Sequence, residues 1–207
     1  MIVLDEHIWF PDIDEATEEG LLAIGGDLSV ERLLLAYKTG VFPWFDEDSP
    51  ILWWSPDPRF LLFPEDLKVS KSMRQLLKKQ AFKVTYNTCF KEVITACATQ
   101  KRKDQQGTWI TQDMIKAYCK LHELGYAKSV EVWQDQKLVG GLYGIDLNNG
   151  VFCGESMFTL VPNASKYGFI TFIELSNYRF FDCQVYTEHL ASLGAKDVIR
   201  EVFLSYL

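Results

Sequence analysis

Two short stretches of the chain place polar side chains inside runs of apolar residues. Glu155 lies within FCGESMF (residues 152–158), and Asp182 and Gln184 lie within FFDCQV (residues 180–185). An unpaired carboxylate in an apolar interior is costly, so a buried Glu155 requires a partner, a raised pKa or a ligand. Because residues two apart in a strand share one face, we expect Asp182 and Gln184 to lie side by side. The same alternation predicts that Glu155 and Met157 share a face of their strand.

The same residues also have an ordinary structural interpretation. Glu155 could be a core carboxylate that is hydrogen-bonded to a neighbouring tyrosine or lysine. Asp182 and Gln184 could simply bond backbone groups at the edge of a sheet. The residue pattern alone favours the structural interpretation of Asp182 and Gln184.

The cysteines and histidines do not form a recognisable site. The five cysteines include no CxxC pair, and the three histidines are scattered along the chain. We therefore expect no disulfide framework and no metal site. Residues 158–163 contain no glycine that would let backbone amides approach the diphosphate of coenzyme A. We expect no cofactor, and coenzyme A is not the expected acyl donor.

The net charge of −7 hides a division along the chain. Residues 1–66 carry fifteen acids and three bases, whereas residues 67–207 carry thirteen acids and eighteen bases. Seven of these bases and no acid lie between residues 67 and 91, and a basic triplet follows at residues 101–103. The pattern indicates either a local site for a polyanion or a solvated helix face. The candidates for phosphate contact are Lys71, Arg74, Lys78, Lys101, Arg102 and Lys103.

Periodicity and capping residues predict a mixture of helices and strands. Helices are expected at residues 30–39, 71–80, 88–98, 112–124 and 164–177, with Ser29, Ser70, Thr111 and Asn163 among the N-caps. Strands are expected at residues 82–86, 129–133, 138–146, 151–157 and around Asp182, with a hairpin turn at residues 148–150. The region before residue 64 is expected to be irregular apart from its helix.

This order of elements predicts an α+β protein with a mixed sheet whose strands can splay to admit a substrate. It resembles the acyltransferase fold of the N-acetyltransferase type. We expect a small N-terminal domain (residues 1–64) and a larger acyltransferase-like catalytic domain (residues 65–207). No apolar run approaches the ~20 residues that cross a bilayer, and the first residues lack the basic character of a signal peptide. We therefore expect a cytoplasmic protein without a membrane partner.

Several motifs, spread over almost the whole chain, resemble the leucyl/phenylalanyl-tRNA–protein transferase family. They are GLLAIGGDLS (20–29), GVFPWF (40–45), WWSPDPR (53–59), GTWI (107–110), LVGGLYG (138–144), FCGESMF (152–158) and DCQ (182–184). The resemblance implies transfer of leucine or phenylalanine, and less well methionine, from aminoacyl-tRNA to proteins with an N-terminal Arg or Lys. Such a product carries a destabilising N-terminus in the N-degron pathway of protein degradation.

The resemblance also implies roles for individual residues. Asp182 and Gln184 correspond to a catalytic relay, and Glu155 to an anion that recognises the basic acceptor. Stacking of the tRNA 3′-adenosine is implied for Trp44 and Trp109. The apolar pocket for the aminoacyl side chain is implied for Leu142, Met157, Phe169 and Phe172. Phe169 stands where the family often has a smaller aliphatic residue, and a tighter pocket would favour leucine.

Three other functions remain compatible with the sequence. A small-molecule acyltransferase could use the same fold, and a non-catalytic module could bind charged tRNA or N-degrons. A relative of the transferase that modifies acidic N-termini is the third. The acidic character of Glu155 and Asp182 favours basic acceptors over acidic ones.

Overall fold

A computed structural model describes residues 2–100 and 109–207. The strands in these ranges are β1 (Ile2–Leu4), β2 (Leu21–Gly25), β3 (Phe42–Pro43), β4 (Leu52–Trp54), β5 (Arg59–Leu62), β6 (Lys83–Tyr86), β7 (Ala127–Gln134), β8 (Lys137–Asp146), β9 (Val151–Thr159), β10 (Phe180–Asp182) and β11 (Lys196–Val198). The α-helices are α1 (Val30–Lys38), α2 (Lys71–Lys78), α3 (Phe90–Thr99), α4 (Gln112–Glu123), α5 (Ala164–Leu175), α6 (Glu188–Ala191) and α7 (Arg200–Leu204). The α+β prediction is confirmed.

The N-terminal part contains a small sheet in the order β1-β2-β4-β3. Its centre is the fully buried Trp53, whose indole N–H donates to the Gly25 carbonyl at 2.9 Å. The prediction that this region is irregular apart from one helix was wrong. Strands of two to five residues are too short for an alternating pattern to identify them.

The larger sheet has the order β11-β5-β10-β9-β8-β7-β6. Strands β7 to β9 form an antiparallel meander at the predicted strand positions, and Asn148 and Gly150 adopt the positive φ angles of the β8–β9 turn. The predicted strand β6 pairs antiparallel with β7, although α3 and α4 separate the two in the chain. Strand β10 instead pairs in parallel with β9 and antiparallel with β5. The larger sheet therefore includes residues 59–62, which precede the predicted domain boundary at residue 64.

Two layers of helices cover this sheet. Buried side chains of α3 and α4 join a cluster that also contains the core of the N-terminal part. Buried side chains of α2 and α5 form a second cluster on the other face. Polar side chains of the sheet that point toward either helix layer consequently lie inside the protein.

Side-chain capping follows the sequence at three of the four predicted positions. The hydroxyls of Ser29, Ser70 and Thr111 accept backbone N–H groups in the first turns of α1, α2 and α4. Asn163 does not cap α5, because its backbone is left-handed with φ of 71° and its side chain makes no capping hydrogen bond. The start of α5 therefore lacks the side-chain acceptor that the sequence predicted.

Candidate active site

The pairing of β8 with β9 shifts at Glu155. Tyr143 is paired with Ser156, whereas the next residue of β8, Gly144, is paired with Gly154. Glu155 is therefore an extra residue in β9 and has no partner in β8. An extra residue of this kind bends a strand and redirects its side chains.

The shift reverses the alternation along β9. Cys153 and Phe158 both belong to the core cluster of α3 and α4, although their positions differ by five, an odd number that would place them on opposite faces of a regular strand. Phe152 and Met157 both pack in the cluster of α2 and α5. Glu155 contacts the α4 side of the sheet, so the prediction that Glu155 and Met157 share a strand face was wrong.

Glu155 is 9% exposed and lies among neutral hydrogen-bond donors. Its Oε2 accepts the Tyr118 hydroxyl at 3.2 Å, and its Oε1 accepts the Gln184 amide N–H at 2.7 Å. The Tyr37 and Tyr118 hydroxyls share a further hydrogen bond. Burial raises the pKa of Glu155 to about 7; the tyrosines and Gln184 oppose this rise, and the charge of Asp182 adds to it. Glu155 can therefore gain or lose a proton near neutral pH.

Asp182 has a different environment, because it forms a closed ion pair with Arg59. The Arg59 Nε and Nη2 atoms donate to the two Asp182 oxygens at 2.8 and 2.7 Å, and Nη1 donates to the Gly40 carbonyl at 3.1 Å. The guanidinium lies between the rings of Phe42 and Phe203, at 4.7 Å from each centroid. Both charged side chains are essentially inaccessible to solvent. The sequence interpretation assigned no role to Arg59.

Gln184 lies just beyond the end of β10, where its backbone turns into the left-handed region with φ of 64°. Its backbone N–H donates to Asp182 Oδ1 at 2.9 Å, and its amide N–H donates to Glu155. The predicted shared strand face of Asp182 and Gln184 is therefore wrong, but the two residues are in contact. Within the described ranges, no group donates a hydrogen bond to the Gln184 amide oxygen.

Glu155, Asp182 and Gln184 line a cavity of about 680 Å³ where β9 and the chain after β10 diverge. β10 ends at Asp182, opposite Cys153, whereas β9 continues to Thr159. Side chains from both sides of the sheet reach this gap. The cavity brings together the predicted residues Glu155, Asp182, Gln184, Trp44, Trp109, Leu142, Met157 and Phe169.

One predicted pocket residue does not reach the main cavity. Phe172 packs against Phe152 and Phe181, with ring centroids 4.9 and 5.6 Å away. It lines a separate cavity of about 410 Å³ at the far end of α5. Phe172 can therefore shape the apolar pocket only through the rings that it supports.

The two predicted stacking residues differ in exposure. Trp44 is 38% exposed and Trp109 is 8% exposed, and both line the cavity. The backbone carbonyl of Trp44 accepts the Trp54 indole N–H at 2.8 Å, which fixes this segment. Both rings therefore contribute to the wall of the same cavity.

The predicted phosphate-binding residues of α2 lie outside the cavity. Lys71, Arg74 and Lys78 are all exposed, while the apolar side of α2 packs in the second core cluster. Lys101, Arg102 and Lys103 lie outside the described residues. Any contact between α2 and a ligand in the cavity must therefore involve a ligand that extends well beyond it.

The described residues contain no group of three or more His, Cys, Asp or Glu side chains that could hold a metal ion. In the same ranges, every helix is too short or too polar to cross a membrane.

The mixed sheet and its acid-lined cavity define the class as an α+β protein with a cleft between diverging strands. Comparison with known proteins identifies the family. The model of the leucyl/phenylalanyl-tRNA protein transferase matches residues 61–207, and the model of its N-terminal domain matches residues 26–57. The chain therefore belongs to the leucyl/phenylalanyl-tRNA protein transferase family and is an aminoacyltransferase.

Curated relatives cover the chain from end to end. A leucyl/phenylalanyl-tRNA–protein transferase of Flavobacterium johnsoniae is 60% identical over 100% of this chain and 99% of its own length. The protein of the same name from Flavobacterium psychrophilum is 55% identical with the same coverage. The resemblance seen in the sequence motifs is thereby confirmed.

Solved structures give more distant matches. A conserved Bacteroides thetaiotaomicron protein of unknown function has a TM-score of 0.48 and 14% identity, over 89% of this chain and 64% of its own. A GCN5-related N-acetyltransferase from Kribbella flavida has a TM-score of 0.36 and 10% identity, over 76% and 56%.

Proposed function

We propose that the protein transfers leucine or phenylalanine, and less well methionine, from charged tRNA to the α-amine of proteins with an N-terminal Arg or Lys. The observation that carries this proposal is the arrangement around Gln184. Asp182 holds its backbone and Glu155 holds its amide N–H, so its amide oxygen remains as an acceptor in the cavity. The amine of the acceptor protein can donate an N–H to this oxygen, which would orient the amine before it loses that proton.

The donor requires little acid–base catalysis, because an aminoacyl ester is already activated. The amine nitrogen attacks the ester carbonyl, the bond to the ribose oxygen breaks, and that oxygen leaves as a hydroxyl carrying the proton from the amine. Holding amine and ester as near-attack partners can contribute roughly 7–11 kcal/mol. We assign Asp182 and Gln184 to the positioning of the amine, with Arg59 keeping Asp182 in place.

Glu155 gives the acceptor site its charge preference. As a carboxylate it attracts the N-terminal Arg or Lys, and with a pKa of about 7 it can also take up a proton from the ammonium form of the amine. The hydrogen bond from Tyr118 also agrees with the alternative interpretation, in which Glu155 is only a core carboxylate bonded to a neighbouring tyrosine. The two interpretations differ in their prediction for activity, because only the functional one makes Glu155 necessary for basic acceptors.

The aminoacyl side chain is assigned to the apolar wall formed by Leu142, Met157 and Phe169. A pocket of this kind distinguishes side chains that differ by a methylene by only ~1–3 kcal/mol, so several unbranched apolar amino acids can enter. The terminal adenosine is assigned to Trp44 and Trp109, because unpaired bases are held by aromatic stacking. A protein that uses charged tRNA works in the cytoplasm, where its products enter the N-degron pathway.

The deciding experiment combines labelled leucyl-tRNA with peptides that begin with Arg, Lys or Asp. We expect a new Leu-Arg or Leu-Lys N-terminus, identified by mass spectrometry, and no product with Asp. A Leu-Asp product would indicate the acidic-acceptor relative, and transfer from acyl-coenzyme A would indicate a small-molecule acyltransferase. Tight binding of leucyl-tRNA without any product would indicate a binding module.

Glu155→Gln tests the assignment of the acceptor site. We expect kcat/KM for Arg peptides to fall by about 10-fold or more, which corresponds to the loss of one charged hydrogen bond. Glu131→Gln is a matched control, because Glu131 is a fully buried glutamate bonded to hydroxyls of Thr85, Thr88 and Ser129 outside the cavity. An unchanged rate in Glu155→Gln would remove Glu155 from the acceptor site.

The basic residues of α2 are assigned to the body of the tRNA. Replacing Lys71, Arg74 and Lys78 together by Gln should raise the KM for charged tRNA several-fold and reduce its salt dependence. The KM for the peptide should change little. Equal salt sensitivity of the two substrates in the unmodified protein would argue against this surface.

A further inference from the structure

Gly154 lies in β9 at the point where β9 and β10 separate, and it lines the main cavity. It is paired with Gly144 of β8, and Glu155, the extra residue of β9, follows it. A glycine inside a strand adds entropy to the unfolded chain and contributes no side-chain packing. Its presence in β9 therefore needs a physical reason.

The glycines of β8 have such a reason in the packing around them. A Cβ atom on Gly141 would lie 2.7 Å from the Val130 carbonyl oxygen, and one on Gly144 would lie 2.3 Å from the Cys153 carbonyl oxygen. Cβ atoms essentially never come this close to a backbone atom. A side chain at either position would therefore require a neighbouring strand to move.

No comparable reason applies to Gly154. Within the described ranges, and apart from its two chain neighbours, a Cβ atom at residue 154 would have one atom within 4 Å. This atom is the Asp182 carbonyl oxygen, at the ordinary contact distance of 3.6 Å. The φ angle of Gly154 is not positive, so the backbone does not require glycine either. The folded chain thus has room for a side chain at residue 154, and this room belongs to the cavity.

The room over Gly154 lies on the α5 side of the sheet. Phe152, two residues earlier in β9, packs in the cluster of α2 and α5, whereas Cys153 packs in the cluster of α3 and α4. A Cβ atom on the paired Gly144 would meet the Phe152 ring at 2.6 Å, and directly paired residues share a face. Met157 returns to this side after the extra residue. The missing side chain therefore enlarges the cavity beside the wall assigned to the aminoacyl side chain.

The surroundings on this side favour an apolar ligand group. Phe169 and Phe181 line the same cavity, and their rings pack edge to face with centroids 5.6 Å apart. The atom nearest to the missing side chain is a single carbonyl oxygen. A cationic Arg or Lys side chain would lose its hydration there for one acceptor, whereas a hydrocarbon or aromatic side chain gains from leaving water.

We propose that Gly154 is a specificity-determining residue for the donor, and that the room over its backbone receives the aminoacyl side chain. This inference rests on the proposed function. The ring of Phe169 takes volume from the pocket, and the missing side chain of Gly154 leaves volume free in it. The pocket then admits the ring of phenylalanine as well as the shorter side chain of leucine.

Gly154→Ala tests this proposal by adding one methyl group to the pocket. We expect kcat/KM for phenylalanyl-tRNA to fall about 10-fold more than kcat/KM for leucyl-tRNA, because one methylene in an apolar pocket changes discrimination by about 10-fold or more. Both donors are assayed with the same Arg peptide, so the ratio is insensitive to changes at the acceptor. The melting temperature should stay the same or rise, because alanine restricts the unfolded chain.

Gly141→Ala is the matched control in the neighbouring strand. Gly141 is not among the residues that line the cavity, and its added methyl group would meet the Val130 carbonyl oxygen. We therefore expect a lower melting temperature and an unchanged ratio of the two donors. The two glycine variants should thus show opposite effects on stability and on donor preference.

The remaining outcomes would overturn the proposal. Equal falls of kcat/KM for the two donors would mean that the added methyl group acts on the reacting ester, and unchanged rates would mean that the room is unused. A lower melting temperature of Gly154→Ala would show that the fold itself requires this glycine.

Failure of the proposed function would be seen separately, as an absence of transfer by the unmodified protein. The same ratio is then measured by calorimetry with unreactive donors, leucine and phenylalanine joined by an amide to 3′-amino-adenosine. A loss of affinity in Gly154→Ala that is about 10-fold larger for the phenylalanine compound would support the role of Gly154 without transfer. Equal losses, or no binding of either compound, would refute it.

Discussion

Two buried carboxylates line the same cavity, but their environments differ. Asp182 faces a guanidinium that donates two hydrogen bonds and is itself held between two rings. In the described part of the chain, the donors that Glu155 faces are neutral, and burial raises its pKa to about 7. Asp182 therefore has its charge balanced inside the protein, whereas no cation of the described residues balances the charge of Glu155.

This difference gives the two carboxylates different roles. The ion pair with Arg59 holds Asp182 in a fixed position, and Asp182 in turn holds the backbone of Gln184. Glu155, a carboxylate without a cationic partner in the described residues, attracts cations only when it is ionised. The transferase proposed here needs both, because its acceptor is a cation that must also be oriented at the ester.

The largest expected effect comes from breaking the ion pair. Arg59→Met should lower the free energy of unfolding by about 3–5 kcal/mol, because it leaves Asp182 as an uncompensated buried charge. Urea unfolding measures this change. The double variant Arg59→Met/Asp182→Leu should recover most of the loss, since a buried pair can be replaced by apolar side chains.

A second ion pair whose cation lies over an aromatic ring, this one on the surface, provides the control. Lys196 pairs with Asp66 at 2.6 Å and lies 5.0 Å from the Phe63 ring, but its side chain is 55% exposed. Lys196→Met should cost less than about 1 kcal/mol. Equal losses in Arg59→Met and Lys196→Met would show that the burial of the Arg59 pair has no special importance.

The sequence predicted the polar residues of the site better than it predicted their geometry. Glu155, Asp182 and Gln184 were identified because polar residues in apolar runs are unusual. Their contacts depend on an extra residue in β9 and on the left-handed backbone of Gln184, and strict alternation allows neither. Arg59 precedes the apolar residues 60–63, so the argument used for Glu155 could have identified it.

In the fold, too, locally encoded elements were predicted and elements that depend on distant partners were not. The meander of β7 to β9 and the helices with Ser or Thr caps were predictable, because each has a long periodic signal or a specific capping residue. The small N-terminal sheet was missed, since its strands owe their existence to Trp53 and to pairing across the sheet. The inclusion of β5 in the larger sheet likewise depends on distant partners, β10 and β11.

The second expected effect is a pH dependence of stability from Glu155. Its pKa is raised from 4.5 in the unfolded chain to about 7 in the folded protein, so the folded protein binds this proton more tightly. The resulting stabilisation is complete below about pH 4.5 and is lost as the pH rises through 7. Relative to Glu155→Gln, the protein should lose about 3 kcal/mol of unfolding free energy between pH 4.5 and pH 8.

Urea unfolding of both proteins across this range measures the difference. The use of Glu155→Gln as the reference cancels the contributions of all other titrating groups. A constant difference between the two proteins would mean that Glu155 is already ionised at low pH. Glu155 would then resemble Asp182, and the comparison between the two carboxylates would fail.

The smallest expected effect concerns the tyrosine beside Glu155. The hydrogen bond from Tyr118 lowers the pKa of Glu155, so Tyr118→Phe should raise this pKa further. We expect the acidic limb of the pH–rate profile with Arg peptides to move to higher pH by up to about one unit, the scale of one hydrogen bond. Tyr86→Phe, on the edge strand β6, should leave the profile in place. A general loss of rate without a shift would mean that Tyr118 only packs against the site, whereas a shift that disappears in Glu155→Gln would trace the titration to Glu155.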